Sequence, residues 1–255
     1  MKESILDYAV DSCNVAECAD SIMNTLALAN RTCSWLACLN PHSYAVALND
    51  SRFALALHDA NWLVPDGVGV VWASRVSGGH VHERVTGSDV FSALHQRMNA
   101  AGGLSVFFLG ASDATLAQIR TRMAQDFPNI RVAGTYSPPF KPTYSEQELD
   151  EMISAVNATR PDVLWVGMTA PKQEKWIFEN RARLDVHFAA AVGAVFDFYT
   201  GNVKRSHPIF LRLGLEWLPR LLQQPRRLWR RMLVSAPIFV THVMRERWRQ
   251  RKIGS

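Results

Sequence analysis

Short apolar runs alternate with longer amphipathic stretches along the first 200 residues, and this alternation most constrains the fold. The clearest run, Leu104–Leu109, is continuous, of strand length and ended by Gly110. After it, Ser112 is placed to cap a helix, Thr115–Phe127 has helical spacing of its apolar residues, and Pro128 stops the pattern. Strands that alternate with helices predict an α/β fold with a mostly parallel sheet and helices on both faces.

The same criteria define the other elements of this fold. We predict strands over Ser34–Leu39, Trp62–Val64, Arg131–Tyr136, Val163–Gly167 and Val186–Val192, and helices over Phe53–Ala60, Glu146–Asn157 and Pro171–Asn180. Parallel sheets bind ligands at the carboxyl ends of their strands, where loops and helix N-termini converge. The residues just after each apolar run are therefore the candidates for chemistry.

The charge is divided unevenly along the chain. Residues 1–200 carry 15 Lys and Arg against 21 Asp and Glu, whereas residues 201–255 carry 13 against 2. We therefore predict an α/β domain over residues 1–201 and a basic helical appendage over residues 202–255. A strongly basic segment on a mildly acidic body is expected to meet an anionic partner.

The appendage has the pattern of a basic amphipathic helix. Between Pro225 and Pro237, one side of a helical wheel carries the four arginines Arg226, Arg227, Arg230 and Arg231. Apolar residues fill the other side. A second basic cluster surrounds Trp248. Arginine interleaved with tryptophan suits an anionic membrane surface or nucleic acid. The longest uncharged stretch of the appendage has 13 residues, whereas a spanning helix needs about 20.

The N-terminal region gives two further expectations. Its first ten residues lack a long apolar core, so we expect no signal peptide. The chain's four cysteines all fall within the first 40 residues: Cys13, Cys18, Cys33 and Cys38. We expect reduced, mostly buried thiols here rather than a zinc site or a disulfide scaffold.

Four polar segments follow apolar runs. In the first, Asp66 comes directly after a predicted strand, and the string Gly67-x-Gly69-x-x-Trp72 nearly matches the dinucleotide fingerprint. This string leaves a nicotinamide-dependent oxidoreductase as an alternative. The second segment, Glu83–Asp89, leads into a helix for which Ser88 or Asp89 is the predicted cap.

The other two segments lie later in the chain. Gly167–Glu174 places Pro171 in the first helical turn, where Lys172 and Gln173 are suited to hold a phosphate or a sugar hydroxyl. Gly193–Gly201 begins with a strand-end glycine, which leaves room for a ligand to approach the backbone.

Together these segments resemble the WecG/TagA/CpsF glycosyltransferase family from about Asn40 to Arg231. The matching motifs, in chain order, are Pro65–Gly67, Glu83–Asp89, Pro171–Glu174 and Gly214–Trp217. The resemblance implies a compact Rossmann-like fold with a C-terminal appendage that docks on the bilayer and helps to complete the active site. It also implies an inverting enzyme that moves a sugar from a UDP-sugar to a polyprenyl-diphosphate-linked acceptor at the cytoplasmic face of the membrane.

The resemblance also implies roles for single residues. The catalytic base falls on Asp66, the active-site glutamine on Gln173, and the arginines that grip the diphosphate on Arg220, Arg227 and Arg230. Further candidate substrate contacts are Asn40, Arg84, Gly110, Lys172, Glu174, Gly193 and Asp197. The chain departs from the family pattern at Cys38, where a threonine is usual, and at Pro219, where an aromatic residue is usual.

We expect no metal cofactor, because the chain contains no Asp-x-Asp pair to bind one beside the nucleotide. The charge of the leaving diphosphate is then expected to be met by helix N-termini, by backbone N–H groups near Gly110 and Gly193, and by arginines. The expected partners are a UDP-sugar, the lipid-linked acceptor and an anionic membrane surface, without nucleic acid. A nucleic-acid-binding protein is the remaining alternative, and a homo-oligomer stays open.

Overall fold

A computed structural model describes residues 1–203 and 231–253. Its strands are β1 (Lys2–Ile5), β2 (Tyr8–Asp11), β3 (Ser34–Leu39), β4 (Trp62–Pro65), β5 (Ser105–Gly110), β6 (Arg131–Tyr136), β7 (Val163–Gly167) and β8 (Phe188–Ala191). Its first nine helices are α1 (Val15–Leu26), α2 (Pro41–Ala47), α3 (Ser51–Asp59), α4 (Val68–Ser77), α5 (Gly87–Ala101), α6 (Asp113–Asp126), α7 (Glu146–Asn157), α8 (Lys172–Asn180) and α9 (Val195–Thr200). A 3₁₀ turn covers Arg181–Arg183, a π-helical turn covers Arg231–Ser235, and the C-terminal helix covers Ala236–Ile253.

Strands β3 to β8 form one parallel sheet in the order β4-β3-β8-β7-β5-β6. Every strand predicted from the sequence is present, with ends that differ by a few residues. Because all six strands run in the same direction, their carboxyl ends lie along a single edge of the sheet. The predicted α/β class is therefore confirmed.

Helices cover both faces of the sheet, as predicted. Along β5 the side chains alternate between two hydrophobic clusters. Phe107 and Leu109 belong to the cluster that includes residues of α2, α3, α7 and α8, whereas Val106 and Phe108 belong to the one that includes residues of α1, α5, α6 and α9. These four side chains are all buried. Burial on both faces explains why the strand reads as a continuous apolar run.

The antiparallel hairpin of β1 and β2 was not predicted from the sequence. It lies beside β4, where Asp11 Oδ2 accepts a hydrogen bond of 2.8 Å from the backbone N–H of Leu63. Lys2 lies 3.7 Å from the same carboxylate. The hairpin therefore supplies a side-chain partner for the outer edge of β4, which would otherwise present unpaired backbone groups.

The C-terminal helix packs against α2. Phe239 and Val243 are buried, and the Phe239 ring meets Tyr44 edge-on at 5.4 Å between centroids. The Tyr44 hydroxyl also lies 2.7 Å from His242 Nδ1. Pro237 lies in the first turn of this helix, where its missing N–H costs no helical hydrogen bond. Residues 226–230 of the helix predicted between Pro225 and Pro237 lie outside the described residues.

The opposite side of the C-terminal helix is exposed and mixes apolar with basic residues. Its exposed apolar side chains are Val240, Met244 and Trp248, and its exposed cations are Arg245, Arg249 and Lys252. Lys252 Nζ lies 3.7 Å from the centroid of the Trp248 ring. Within the described ranges, no helix combines the length and the hydropathy needed to cross a bilayer.

The four cysteines are free thiols, as expected. Cys18 and Cys33 are buried, and Cys13 and Cys38 are half-buried. Burial raises the pKa of the Cys33 thiol to about 12. Across residues 1–203 and 231–253, no group of three His, Cys, Asp or Glu side chains is arranged to hold a metal ion.

Candidate active site

A cavity of about 770 Å³ opens at the carboxyl edge of the sheet. Its wall contains nine of the residues singled out from the sequence: Asn40, Asp66, Arg84, Gly110, Lys172, Gln173, Glu174, Gly193 and Asp197. They come from six different segments of the chain, most of which directly follow a strand. Because the strands are parallel, these segments meet at one edge of the sheet. Arg220, Arg227 and Arg230 lie outside the described residues.

Asp66 and Asn40 lie side by side at the ends of β4 and β3. Asn40 caps α2: its Oδ1 accepts hydrogen bonds from the backbone N–H groups of His42 and Ser43, at 3.0 and 2.9 Å. Its Nδ2 is thereby left to donate to Asp66 Oδ2 at 3.4 Å. The Asp66 side chain is half-buried in the cavity wall.

Arg84 reaches the cavity from the connection between α4 and α5. The next residue, Val85, is buried and donates its backbone N–H to Pro65 O at 3.0 Å, which fixes this connection beside the end of β4. The cap of α5 is Thr86, not Ser88 or Asp89 as predicted. Thr86 forms a capping box with Asp89, so Asp89 supports the helix start from its first turn.

Gly110 ends β5 where two strands approach closely. Its φ of +112° is unfavourable for other residues, and a Cβ there would lie 2.4 Å from Gly167 O. The next backbone N–H, that of Ala111, donates to the same Gly167 oxygen at 3.2 Å. Glycine is therefore required at this corner of the cavity, and the role of Gly110 visible here is structural.

Gln173, Glu174 and Gly193 form a hydrogen-bonded chain. Gln173 Oε1 accepts from the backbone N–H of Gly193 at 2.9 Å, and Gln173 Nε2 donates to Glu174 Oε1 at 2.9 Å. The N–H of Gly193 is therefore bound to Gln173 within the protein, and the substrate contact expected at Gly193 stays a prediction. Both side chains are buried, and burial raises the pKa of Glu174 to about 7.

Cys38 lines the cavity and feels the charges of its acidic residues. Burial raises the pKa of its thiol well above the usual range, and the charges of Asp66 and Glu174 raise it further. The thiol is therefore neutral. It occupies the position where the family pattern has a threonine, so a weakly polar group replaces a hydroxyl here.

Lys172 faces a proline-rich connection after β6. Its Nζ donates to Lys141 O at 2.9 Å and to the Tyr144 hydroxyl at 3.1 Å, and it lies 4.7 Å from the centroid of the Tyr144 ring. Phe140, which also lines the cavity, is 98% exposed. The ammonium group of Lys172, which was predicted to hold a phosphate or a sugar hydroxyl, therefore already has contacts within the protein.

Three helix N-termini border the cavity. Helices α5, α6 and α8 all begin at its wall, with Gly87, Ser112 and Lys172 among the lining residues. Backbone N–H groups in the first turn of a helix carry partial positive charge and favour anions. The arrangement suits a ligand with a diphosphate group.

The glycines that suggested a dinucleotide fingerprint do not line this cavity. A Cβ on Gly69 would lie 2.6 Å from Pro41 Cγ, so the absence of a side chain allows α4 to pack against α2. The structure therefore gives Gly69 a packing role rather than a nucleotide contact.

His42, by contrast, lines the cavity and was missed from the sequence. Its Nδ1 lies 2.9 Å from Ser235 Oγ, and it therefore connects the cavity wall to the π-helical turn before the C-terminal helix. The pair Asn40-Pro41, a capping residue followed by a proline, was the available sequence indication of this helix start.

The chain is similar over its length to known transferases. The sequence model of the "Glycosyl transferase WecG/TagA/CpsF family" matches residues 3–253. Proteins named N-acetylglucosaminyldiphosphoundecaprenol N-acetyl-beta-D-mannosaminyltransferase are among its relatives. The one from Bacillus spizizenii is 37% identical over 73% of this chain and 69% of its own length. The one from Bacillus subtilis is 31% identical over 83% of this chain and 79% of its own length. The one from Staphylococcus aureus is 25% identical over 98% of this chain and 95% of its own length.

Fold, cavity and similarity agree on the class of protein: it is a glycosyltransferase with a parallel α/β fold. Within that class, the chain belongs to the WecG/TagA/CpsF family. The resemblance drawn from the sequence motifs is confirmed.

Proposed function

We propose that this protein moves a hexose or N-acetylhexosamine-type sugar, with inversion, from a UDP-sugar to the saccharide of a polyprenyl-diphosphate-linked acceptor. The reaction would serve the synthesis of a bacterial surface polysaccharide or exopolysaccharide. The observation that carries the proposal is the position of Asp66. Its half-buried carboxylate lines the cavity beside Asn40, in the same wall as three helix N-termini.

The names of the relatives support the acceptor class and an N-acetylhexosamine. Those proteins are named for transfer of an N-acetyl-beta-D-mannosaminyl group to N-acetylglucosaminyldiphosphoundecaprenol. A β product favours inversion, because UDP-sugars of this type generally carry an α linkage. An inverting transfer in one step needs a single base on the acceptor hydroxyl.

In the proposed step, Asp66 accepts the proton of the acceptor hydroxyl as its oxygen bonds to the anomeric carbon. The bond from that carbon to the diphosphate breaks, and UDP leaves with the electron pair. The hydrogen bond from Asn40 Nδ2 holds the carboxylate in position. General-base catalysis of this kind contributes about 10²–10⁴ in rate.

We propose that protein groups stabilise the negative charge on the departing UDP. The N-termini of α5, α6 and α8 face the cavity, and Arg84 lies in its wall. Arg220, Arg227 and Arg230 are proposed as further diphosphate contacts on the family resemblance alone. With these groups in place, no divalent cation is needed, and we expect full activity in a chelator such as EDTA.

The membrane is the proposed location of the acceptor. The C-terminal helix exposes Val240, Met244 and Trp248 beside Arg245, Arg249 and Lys252. A side that combines apolar and basic residues favours binding to an anionic lipid surface. We propose peripheral attachment to the cytoplasmic face of the inner membrane, where residues 202–255 act as the docking appendage of the catalytic domain 1–201.

The proposal is tested by a donor screen. Radiolabelled UDP-sugars are incubated with the protein and a polyprenyl-diphosphate-linked N-acetylglucosamine, with and without EDTA, and the anomeric configuration of the product is read by NMR. A β-linked lipid product that forms in EDTA supports the proposal. Transfer that stops in EDTA and returns with Mg²⁺ would contradict the metal-independent scheme, and tight binding of NADH with no binding of UDP-sugar would favour the oxidoreductase.

A further inference from the structure

Glu174 is a buried acid that the proposed transfer step does not use. It lies in the first turn of α8, is 4% exposed and forms part of the cavity wall. Its Oε1 accepts the hydrogen bond from Gln173, but its Oε2 has no hydrogen-bond partner within residues 1–203 and 231–253. A buried polar atom without a partner costs about 1–3 kcal/mol, so such an atom in a cavity wall points to a ligand group that completes it.

The contacts of Gln173 determine which oxygen of Glu174 carries a proton. The backbone N–H of Gly193 can only donate, so the side chain of Gln173 must turn its Oε1 toward it. The NH₂ group of Gln173 therefore faces Glu174, and Glu174 Oε1 must accept. When Glu174 is protonated, its proton therefore lies on Oε2, the buried oxygen that has no hydrogen-bond partner among the described residues.

Burial favours this protonated form. It raises the pKa of Glu174 to about 7, against smaller opposing effects from Gln173, the backbone N–H of Glu174 and Lys175. The ammonium of Lys175 is held by Asp50 at 2.8 Å, and Cys38 is a neutral thiol. A bound diphosphate would add negative charge, which further disfavours an ionised Glu174.

We infer that Glu174 binds the donor as the neutral acid, with Oε2–H donating a hydrogen bond to an oxygen of the UDP-sugar. This inference rests on the proposed function and adds a proton to the binding step. At neutral to alkaline pH, a share of the protein must take up a proton from solvent before or as the donor binds.

The test is calorimetric titration of the full chain with a UDP-sugar between about pH 6 and pH 9. A UDP-sugar has no phosphate group that titrates in this range, so any proton taken up belongs to the protein. We expect constant affinity below about pH 7 and a fall of about tenfold per pH unit above it. Titrations in two buffers of different ionisation enthalpy should report uptake of up to about one proton near pH 8.

The Glu174→Gln variant assigns the effect to this side chain. Its amide can accept from Gln173 and donate into the cavity, as the protonated acid does, so we expect binding that no longer depends on pH or takes up protons. Glu179→Gln removes the same charge from α8 outside the cavity, where Glu179 pairs with Arg52, and should keep the wild-type pH dependence. Thermal unfolding checks that both variants fold, and the wild-type proton uptake is informative without any variant.

Four results would overturn the inference. Wild-type affinity that rises with pH, together with lost binding in Glu174→Gln, would make Glu174 an ionised acceptor. A pH dependence that persists in Glu174→Gln would belong to another group, such as His42 in the same wall. Tight binding with no pH dependence would overturn the inference and leave the proposed function standing, whereas failure to bind any UDP-sugar at any pH would overturn the proposed function as well.

Discussion

Asn40 Nδ2 donates a hydrogen bond of 3.4 Å to Asp66 Oδ2 and so joins the ends of neighbouring strands β3 and β4 in one cavity wall. The two residues are 26 positions apart in the chain, yet the parallel register brings them together, because Leu39 pairs with Pro65. The amide that caps α2 thus also orients the proposed base.

The two roles of Asn40 are separable by Asn40→Ser. Serine is as good a helix cap as asparagine but has no second donor for Asp66. We expect the free energy of unfolding to stay within about 0.5 kcal/mol of wild type, while kcat/KM for transfer falls about tenfold from the loss of one hydrogen bond to a charged group. Urea unfolding and initial-rate assays measure the two quantities.

A matched control for this variant is Asn14→Ser. Asn14 caps α1 through the same kind of capping box but lies away from the cavity. It should leave both stability and transfer close to wild type. Full activity in Asn40→Ser would remove the positioning role of Asn40.

His95 makes the stability of the fold sensitive to acid. It is fully buried among the rings of Phe91, Phe127 and Trp165, and burial lowers its pKa to about 3. Because the unfolded chain binds a proton below about pH 6.5 and the folded chain does not, stability is complete above that pH. It then falls by about 1.4 kcal/mol per pH unit as the pH drops toward 3.

We expect His95→Phe to remove this contribution. Between pH 7 and pH 5, wild type should lose about 2 kcal/mol more of its free energy of unfolding than the variant, in urea titrations at each pH. His80→Phe, at an exposed histidine, should keep the wild-type loss. Parallel pH profiles for wild type and His95→Phe would contradict the assignment.

The exposed cations of the C-terminal helix give a prediction for lipid binding. Replacing Arg245, Arg249 and Lys252 by Ala should weaken binding to vesicles that contain phosphatidylglycerol about 100-fold, at about 1 kcal/mol per charge. Co-sedimentation at several salt concentrations measures this, and wild-type binding should also weaken with salt. The control replaces Arg52, Arg120 and Arg183, three exposed cations of the body, by Ala. Equal losses in both triple variants would mean that the helix is not the docking surface.

The sequence predicted the sheet well because its central strands β5, β7 and β8 are buried on both faces. Runs such as Leu104–Leu109 and Val163–Gly167 read as strands without knowledge of their neighbours. The β1–β2 hairpin was missed because its position depends on a distant contact, from Asp11 to Leu63. The cap of α5 was misplaced although Thr86-x-x-Asp89 has the spacing of a capping box, which was read two or three residues too late.

The candidate site was predicted as a set of residues but not as a geometry. Position after a strand was enough to bring Asp66 and Gln173 to one edge of the sheet. That Gln173 binds Gly193, 20 residues away, and so uses up its N–H, follows only from the packing of α8 against β8. The burial that changes the pKa of Glu174 is equally a property of the folded chain.

Replacement of Asp66 by Asn tests the central claim most directly, because it removes the base and keeps the size of the side chain. Single-turnover transfer and UDP-sugar titration are measured on the same preparation. We expect transfer to fall by about 10²–10⁴ while the dissociation constant of the UDP-sugar stays close to that of wild type. Transfer at the wild-type rate, or an equal loss of binding and transfer, would contradict it.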